Sequence, residues 1–307
     1  MNRQLFGAMA AAALVVASAP ASAAGTYSAT KYPIVLAHGL LGWDTAAGID
    51  YWYGITRDLQ SNGAKVYTTK VSAVNSSEVR GEQLLQQVNT ILAVTGAKKV
   101  NLVGHSQGNQ STRYVAAVAP EKVASVTSVS GTTGGSPVAD VIAGVAPAGT
   151  FTNAVVNAVV SGLGSIIDLL SGSAGLPASG NAVLTSLTTT GAAKFNKNFP
   201  AGVPTTRCGQ GATTVNGVRY YSWSGTGLVT SVIDPSDSAM ALTALAFKGA
   251  PNDGLVGRCD SHLGQVIRSD YNLNHLDTIN HFFGATGFTD PVALYRQHAN
   301  RLKLAGL

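Results

Sequence analysis

Hydrophobic and polar positions alternate along the chain in two distinct ways. Short apolar runs, mostly of Val, Ile and Leu, occupy residues 32–37, 100–103 and 123–129 and predict buried β-strands. Residues 81–96 instead repeat apolar side chains at the helical period and end at Gly96, a favourable helix C-cap. Strands and helices that alternate in this way are typical of a parallel sheet covered by helices. The pattern therefore predicts an α/β fold.

The remaining apolar segments extend this prediction to the rest of the chain. Further strands are expected at residues 63–69 and 218–225, and further helices at residues 51–59 and 291–304. Asp290 is suited to cap the last of these helices, because proline follows it at the first helical position.

Residues 151–170 predict an amphipathic helix with two alternative roles. Its apolar side chains suit either a buried core helix or the inner face of a lid. Residues 171–180, which follow, are rich in Gly and Ser and are suited to a hinge. Because lids swing on hinges in loops, the segment favours a lid.

The run at residues 100–103 leads directly into Gly104-His105-Ser106-Gln107-Gly108. Glycines two residues before and two after a serine let neighbouring backbone approach without a Cβ clash. Residues 111–118 then suit a helix, which Pro120 ends. Strand, turn and helix in this order indicate a nucleophile elbow with Ser106 as the nucleophile, whereas the five residues alone also fit an ordinary glycine-rich turn.

Composition and charge narrow the classes of protein to which the chain could belong. Residues 1–23 predict a removed secretory signal peptide, with Arg3, an apolar run and Ala21-Ser22-Ala23 as the cleavage pattern. That run is shorter than the ~20 residues that span a bilayer. Residues 24–307 are then expected to form a single domain. The net charge of +5 is scattered along the chain, which argues against a nucleic-acid partner.

Cys208 and Cys259 are the two cysteines of the chain. An exported protein meets an oxidising compartment, so a disulfide between them is expected. Two buried free thiols are the alternative.

A serine nucleophile needs a base and an acid. His38-Gly39, at the end of the strand at residues 32–37, suits an oxyanion-hole loop, although it also fits a polar strand end. Asn252-Asp253-Gly254 is most simply a turn, yet its position late in the chain, after an expected strand, suits the acid. His262, His275 and His281 remain as candidates for the base, and the pattern does not choose among them.

Several segments resemble the secreted Pseudomonas- and Burkholderia-type triacylglycerol lipases, over nearly all of the chain after the signal peptide. The segments are His38-Gly39-Leu40-Leu41-Gly42, Asp50-Tyr51-Trp52-Tyr53-Gly54, Arg80-Gly81-Glu82-Gln83-Leu84-Leu85, residues 100–108, residues 113–118, Asn252-Asp253-Gly254-Leu255-Val256, Asn274-His275-Leu276-Asp277 and residues 298–303.

This resemblance implies an α/β-hydrolase fold with a mostly parallel sheet, flanking helices and a helical lid in residues 151–170. It implies that Ser106 is the nucleophile, His275 the general base and Asp253 the acid that orients it. The backbone N–H groups of Leu40 and Gln107 are implied as the oxyanion hole.

The resemblance also implies one structural Ca²⁺ ion, bound by the carboxylates of Asp234 and Asp277 and by the carbonyls of His281 and Ala285. Oxygen ligands suit this hard cation, which would brace the loop that carries the base. Without the resemblance, the favoured interpretation of Asp234 is an Asx turn, and the favoured interpretation of Asp277 is an acid at a helix N-terminus. A disulfide between the two cysteines matches the family as well.

The expected function is hydrolysis of triacylglycerols at an oil–water interface by a protein secreted through the periplasm. A lipase-specific foldase is the implied partner during export, and a monomer is the expected state. A short-chain carboxylesterase, an extracellular polyester depolymerase and a non-catalytic binding protein of the same fold are the alternatives. The chain departs from the family pattern at Asn109, often glycine, and at residues 131–136, which replace a Pro-His-basic-Gly-Ser loop.

Overall fold

The computed structural model describes residues 25–42, 45–46, 49–147, 149–170 and 180–307. The expected signal peptide at residues 1–23 lies outside the described residues, and so does the expected hinge, apart from Gly180.

The architecture is a mostly parallel sheet. The strands are β1 (Ile34–Ala37), β2 (Thr45–Ala46), β3 (Ile49–Asp50), β4 (Val66–Thr68), β5 (Val100–His105), β6 (Val123–Val129), β7 (Thr214–Val215), β8 (Val218–Gly225) and β9 (Gln265–Tyr271). Within the described residues the main sheet has seven strands in the order β4-β1-β5-β6-β8, with β7 and β9 both paired to β8. Only β7 in this sheet runs antiparallel to its neighbour, so the carboxyl ends of the other strands share one edge.

Helices cover both faces of this sheet. They are α1 (Ile55–Ser61), α2 (Ser77–Thr95), α3 (Gly108–Val118), α4 (Pro137–Ile142), α5 (Asn153–Leu170), α6 (Gly180–Leu187), α7 (Thr189–Asn198), α8 (Asp237–Thr243), α9 (His281–Gly284) and α10 (Pro291–Leu304). None of the helices in the described ranges has the length and apolar character needed to cross a membrane.

Alternate side chains of the central strands enter two separate cores. Ile34 and Leu36 of β1 join α1 and α10 in one core, whereas Val35 of the same strand joins α2 and α3 in the other. Because side chains alternate across a strand, a run that is apolar at every position must be buried on both faces. The apolar runs in the sequence therefore predicted the central strands correctly.

The ends of several elements differ from the sequence prediction. The helix predicted at residues 81–96 begins earlier, where the Ser76 hydroxyl accepts a hydrogen bond from the Val79 N–H at 3.3 Å, and it ends at Gly96, whose φ is 66°. The helix predicted at residues 51–59 begins only at Ile55. The last helix has the predicted bounds, and Asp290 accepts a hydrogen bond from the Ala293 N–H at 3.1 Å.

Two elements near the end of the chain were not predicted. One is a 3₁₀ helix (Ala244–Phe247), which continues α8 and precedes Asn252 and Asp253. Strand β9 was not predicted, because only part of its sequence, QVIRSDY, is apolar. It is an edge strand that pairs with β8 on one side. The disulfide is confirmed: Cys208 and Cys259 are bonded, with their Cα atoms 4.4 Å apart.

Candidate active site

Ser106 lies on a strained turn between β5 and α3, as the sequence predicts. Its φ of 55° is in the left-handed region, which a residue with a side chain seldom occupies. A Cβ added to Gly104 would lie 2.4 Å from the Gly108 carbonyl oxygen, and one added to Gly108 would lie 2.2 Å from the Ala37 carbonyl oxygen. Both flanking positions therefore require glycine, which is the geometry of a nucleophile elbow.

His275 is paired with Asp253 in the protein interior. The ring Nδ1 lies 2.9 Å from the Asp253 Oδ2, and both side chains are buried. The other carboxylate oxygen of Asp253 accepts hydrogen bonds from the N–H groups of Leu255 and Val256 at 3.0 and 2.7 Å. Because a carboxylate only accepts, the proton of a neutral His275 ring is on Nδ1, and Nε2 is left as the basic atom.

The three candidate histidines lie in different places. Ser106 and His275 line the same cavity, and Asp253 orients the His275 ring from behind. His262 is elsewhere, with its Nδ1 2.9 Å from the Gly209 carbonyl. The third candidate, His281, is buried on the loop after Asp277 and does not line that cavity.

The two expected oxyanion donors are adjacent to this serine. Leu40 lines the same cavity, and Gln107 follows Ser106 in the elbow. In the described part of the chain, the N–H groups of Leu40 and Gln107 donate to no backbone carbonyl, whereas those of Leu41 and Ser106 donate to Ala73 and Val129. Two N–H groups without a backbone acceptor beside a nucleophile are suited to stabilise an oxyanion.

Arg80 holds the loop that carries Leu40. Its guanidinium is fully buried and donates to the carbonyl oxygens of His38 at 2.6 Å, Gly39 at 2.9 Å and Ser72 at 2.6 Å. Burial lowers the pKa of Arg80 to about 10, so the side chain stays charged at neutral pH. Sequence reasoning missed this role, since a single arginine at the start of a helix carries no signal of burial.

Tyr51 and His105 connect three parts of the site. The Gly39 N–H donates to the Tyr51 hydroxyl at 3.1 Å, and that hydroxyl lies 2.6 Å from the His105 Nδ1. The His105 Nε2 lies 3.1 Å from the carbonyl of His275 and must donate to it, since a carbonyl only accepts. Burial, reinforced by the neighbouring His275, lowers the pKa of His105, so the ring is neutral and its Nδ1 accepts from the Tyr51 hydroxyl. The oxyanion loop, the elbow and the base are therefore linked by one chain of hydrogen bonds.

The cavity beside Ser106 is apolar. The space within it that is open to water-sized groups is about 80 Å³. The apolar side chains that line it include Leu40, Val138, Ile142, Leu184, Leu187 and Leu255. An apolar lining of this kind is suited to hydrocarbon.

The two departures from the family pattern contact each other below this cavity. The amide nitrogen of Asn109 donates to the hydroxyl of Thr133 at 3.0 Å, and both residues are buried. Thr132 and Ser136 of the same loop line the cavity. The altered loop is therefore part of the wall of the site.

A cluster of carboxylates lies on the far side of the His275 loop. Asp234, Asp237 and Asp277 each place an oxygen within 4.8 Å of the others. The side chain of Asn274 donates to Asp234 at 3.1 Å and to Asp237 at 2.9 Å, and its backbone N–H donates to Asp277 at 2.9 Å. Sequence reasoning missed Asp237, although its position three residues after Asp234 was visible.

This cluster can hold a metal ion. Burial and the nearby charge of Asp234 raise the pKa of Asp277, which shows that the pocket disfavours negative charge without a compensating cation. All of the donor groups are oxygens, which suits a hard divalent ion. The expected carbonyl ligands, His281 and Ala285, lie on the loop just after Asp277, and the His281 N–H donates back to Leu276 at 3.2 Å.

An elbow serine beside a buried His–Asp pair, at the carboxyl edge of a mostly parallel sheet, defines the class of α/β-hydrolases. Residues 32–232 match the family model described as alpha/beta hydrolase fold. The mature lipase BlEst2 of Bacillus licheniformis is similar in structure, with a TM-score of 0.61 and 19% identity over 89% of this chain and 93% of that chain. At that identity the likeness shows the shared fold.

Relatives of known name are much closer in sequence. The chain is 58% identical to a triacylglycerol lipase of Vibrio cholerae serotype O1 over 92% of this chain and 90% of the relative. It is 46% identical to a triacylglycerol lipase of Pseudomonas fragi over 91% of this chain and 98% of the relative. The chain belongs to this family of bacterial triacylglycerol lipases, within the α/β-hydrolases.

Proposed function

We propose that the chain is a triacylglycerol lipase that uses Ser106, His275 and Asp253 as its catalytic triad. The observation that carries this proposal is the buried His275–Asp253 pair, whose ring faces the same apolar cavity as the elbow serine. An apolar cavity suits an acyl chain, and the triad suits an ester carbonyl.

The reaction follows from the proton positions. The Ser106 hydroxyl attacks the ester carbonyl carbon while His275 Nε2 accepts its proton. The protonated ring then gives this proton to the departing glycerol oxygen, which leaves an acyl-enzyme. Water, deprotonated by the same nitrogen, attacks the acyl carbon and releases the fatty acid together with the regenerated serine.

The oxyanion of each tetrahedral intermediate would be stabilised by the N–H groups of Leu40 and Gln107. Removal of one such donor typically raises the barrier by about 3 kcal/mol. Arg80 and Tyr51 support this role, because they hold the loop before Leu40 through its carbonyl and N–H groups.

Helix α5 is proposed as the lid of a single catalytic domain at residues 24–307. Its Val155, Val156 and Val159 pack against Val138 and Phe247, whereas Val160 is half exposed. A lid helix can open when an oil surface covers the apolar area that it releases.

The acidic cluster is proposed to bind one structural Ca²⁺ ion through the carboxylates of Asp234 and Asp277 and the carbonyls of His281 and Ala285. Asp237 would complete the negative charge around the ion. When bound, the ion would supply charge compensation and fix the loop that follows His275, without taking part in the chemical steps.

Export is proposed to begin with the signal peptide at residues 1–23 and to pass through the periplasm, where a lipase-specific foldase would assist folding before secretion. The disulfide between Cys208 and Cys259 supports a path through an oxidising compartment. The secreted protein is proposed to act as a monomer.

Hydrolysis of emulsified triolein and of tributyrin, with calcium present, tests this function. Ser106→Ala serves as the blank, and a fluorophosphonate probe reports the nucleophile. Triolein turnover that rises as droplets form and disappears in the variant is expected. Turnover of tributyrin alone, saturating below its solubility limit, would instead identify a short-chain esterase, and an unlabelled, folded wild type would exclude serine catalysis.

A further inference from the structure

Two loops at the carboxyl edge of the sheet expose large apolar side chains. Val229, Val232 and Ile233 lie on the loop between β8 and α8, and Phe288 lies on the loop before α10. Val232 and Phe288 are fully exposed, and Val229 and Ile233 are 69% and 75% exposed. We name these four side chains the apolar patch.

The two loops form one surface. A Cβ added to Gly287 would lie 2.6 Å from the carbonyl oxygen of Thr230, so the two loops are in contact. The contact is next to Val229 on one loop and next to Phe288 on the other. Thr230 and Ser231 turn their N–H groups inward onto Asp237, at 2.8 and 2.9 Å. Because these polar groups point into the acidic cluster, the apolar side chains beside them are held outward.

The two loops of this surface carry few charged side chains for a solvent-exposed region. Neither residues 226–233 nor residues 282–289 contain a charged side chain. The carboxylates directly beneath, Asp234, Asp237 and Asp277, are buried and turned inward. The charge nearest to Phe288 along the chain is the exposed Asp290, which caps α10, and the two loops themselves carry none. An apolar surface with so few charges suits an uncharged apolar phase better than a charged headgroup or an acidic or basic protein.

The position of the apolar patch also favours contact with an uncharged apolar phase. The loop that carries Val229 follows the carboxyl end of β8, at the edge where Ser106 follows the end of β5, and the loop that carries Phe288 contacts it through Gly287 and Thr230. An apolar phase that covers this edge would thus be brought to the side of the molecule that carries the nucleophile.

We propose that the apolar patch attaches the protein to the surface of an oil droplet, in addition to any contact made by the lid. This inference rests on the proposed lipase function, since a triacylglycerol droplet is the uncharged apolar phase in question. The attachment transfers exposed hydrocarbon from water into oil, so its strength should follow the apolar area of the patch.

The triple variant Val229→Ser/Val232→Ser/Phe288→Ser tests the proposal. Partition of the protein onto a triolein emulsion is expected to fall about tenfold or more, because three large apolar groups are lost from the contact. Hydrolysis of dissolved p-nitrophenyl butyrate should be unchanged, since none of the three side chains lines the cavity beside Ser106.

A matched control is available at the opposite edge of the sheet. Val94→Ser/Val118→Ser/Leu304→Ser also removes three exposed apolar side chains, from the carboxyl ends of α2, α3 and α10. This control should partition like the wild type. Equal partition of both triple variants and the wild type would overturn the inference while the proposed function stands. A wild type that hydrolyses neither substrate would overturn both.

A second measurement does not depend on loss of function. In Phe288→Trp, the added tryptophan emission should shift to shorter wavelength when triolein droplets are added, whereas Val94→Trp should not shift. Absence of a shift at residue 288 in droplet-bound protein would refute the proposal. The proposal would also be refuted by a patch variant that binds droplets normally but is recovered poorly when it is produced with its foldase. That result would show that the surface serves a protein partner.

Discussion

Asp253→Asn is the sharpest test of the proposed triad, because the structure predicts how the new amide will be oriented. One carboxylate oxygen of Asp253 accepts two backbone N–H groups, from Leu255 and Val256, and the other accepts from His275 Nδ1. In the variant the amide oxygen must face the two N–H donors. The amide NH₂ group is then left facing His275.

A donor that faces Nδ1 reverses the tautomer of the ring. Nδ1 must become an acceptor, so the proton moves to Nε2, the atom that should accept the proton of Ser106. In a serine protease the corresponding change lowers kcat about 10⁴-fold. That factor corresponds to about 5.4 kcal/mol of barrier, and we expect a loss of this order here.

The assay is kcat for a dissolved p-nitrophenyl ester, measured together with the melting temperature. Asparagine has nearly the same shape as aspartate and keeps the two backbone hydrogen bonds, so the melting temperature should change by only a few degrees. Asp58→Asn is the control, because Asp58 pairs with Arg296 away from the site and its loss should leave kcat unchanged. A loss of less than about tenfold in kcat for a folded Asp253→Asn protein would refute the assignment.

Four further outcomes follow from the structure. Gly108→Ala would push a methyl group against a carbonyl of β1 and should lower the unfolding free energy by about 1–3 kcal/mol and abolish turnover, as measured by urea unfolding and ester hydrolysis. Replacing both Cys208 and Cys259 by serine opens a loop spanning 51 residues and should cost about 4 kcal/mol in the chain-entropy model; an unchanged urea midpoint would contradict this. Calcium should raise the melting temperature of the wild type and a chelator should lower it, whereas Asp277→Asn should respond to neither. Tyr51→Phe removes the hydroxyl between the oxyanion loop and the elbow histidine, and should lower kcat about tenfold with KM unchanged, because one buried hydrogen-bond link is lost.

Local patterns predicted the central strands and the elbow well. The run before Gly104 is apolar at nearly every position because β5 is buried on both faces. Gly104 is required by a backbone contact four residues away, whereas Gly108 is required by the distant carbonyl of Ala37 and was recognised from the motif. Such features depend on nearby residues and on burial, which a sequence shows directly.

Features that depend on distant contacts were not predicted in the same way. The pairing of His275, and not His262, with an acid depends on Asp253, which is 22 residues away and follows a 3₁₀ helix that the pattern did not predict. The helix predicted to begin at residue 51 begins at Ile55, and the Tyr51 hydroxyl contacts His105 from the segment before that helix. A pattern shows that a side chain is apolar or polar, but not which distant polar atom it meets.

The Asn274–Asp277 segment connects the chemistry of the site to its stability. Asn274 holds Asp234 and Asp237 through its side chain and Asp277 through its backbone, and the next residue is the proposed base. Without a cation, three neighbouring carboxylates repel one another or take up protons, and either change loosens the hydrogen bonds of Asn274. One of these carboxylates, Asp237, accepts the N–H groups of Thr230 and Ser231, which hold the apolar patch outward. Removal of the proposed ion should therefore weaken turnover and droplet attachment together, whereas a change in the patch should affect attachment alone.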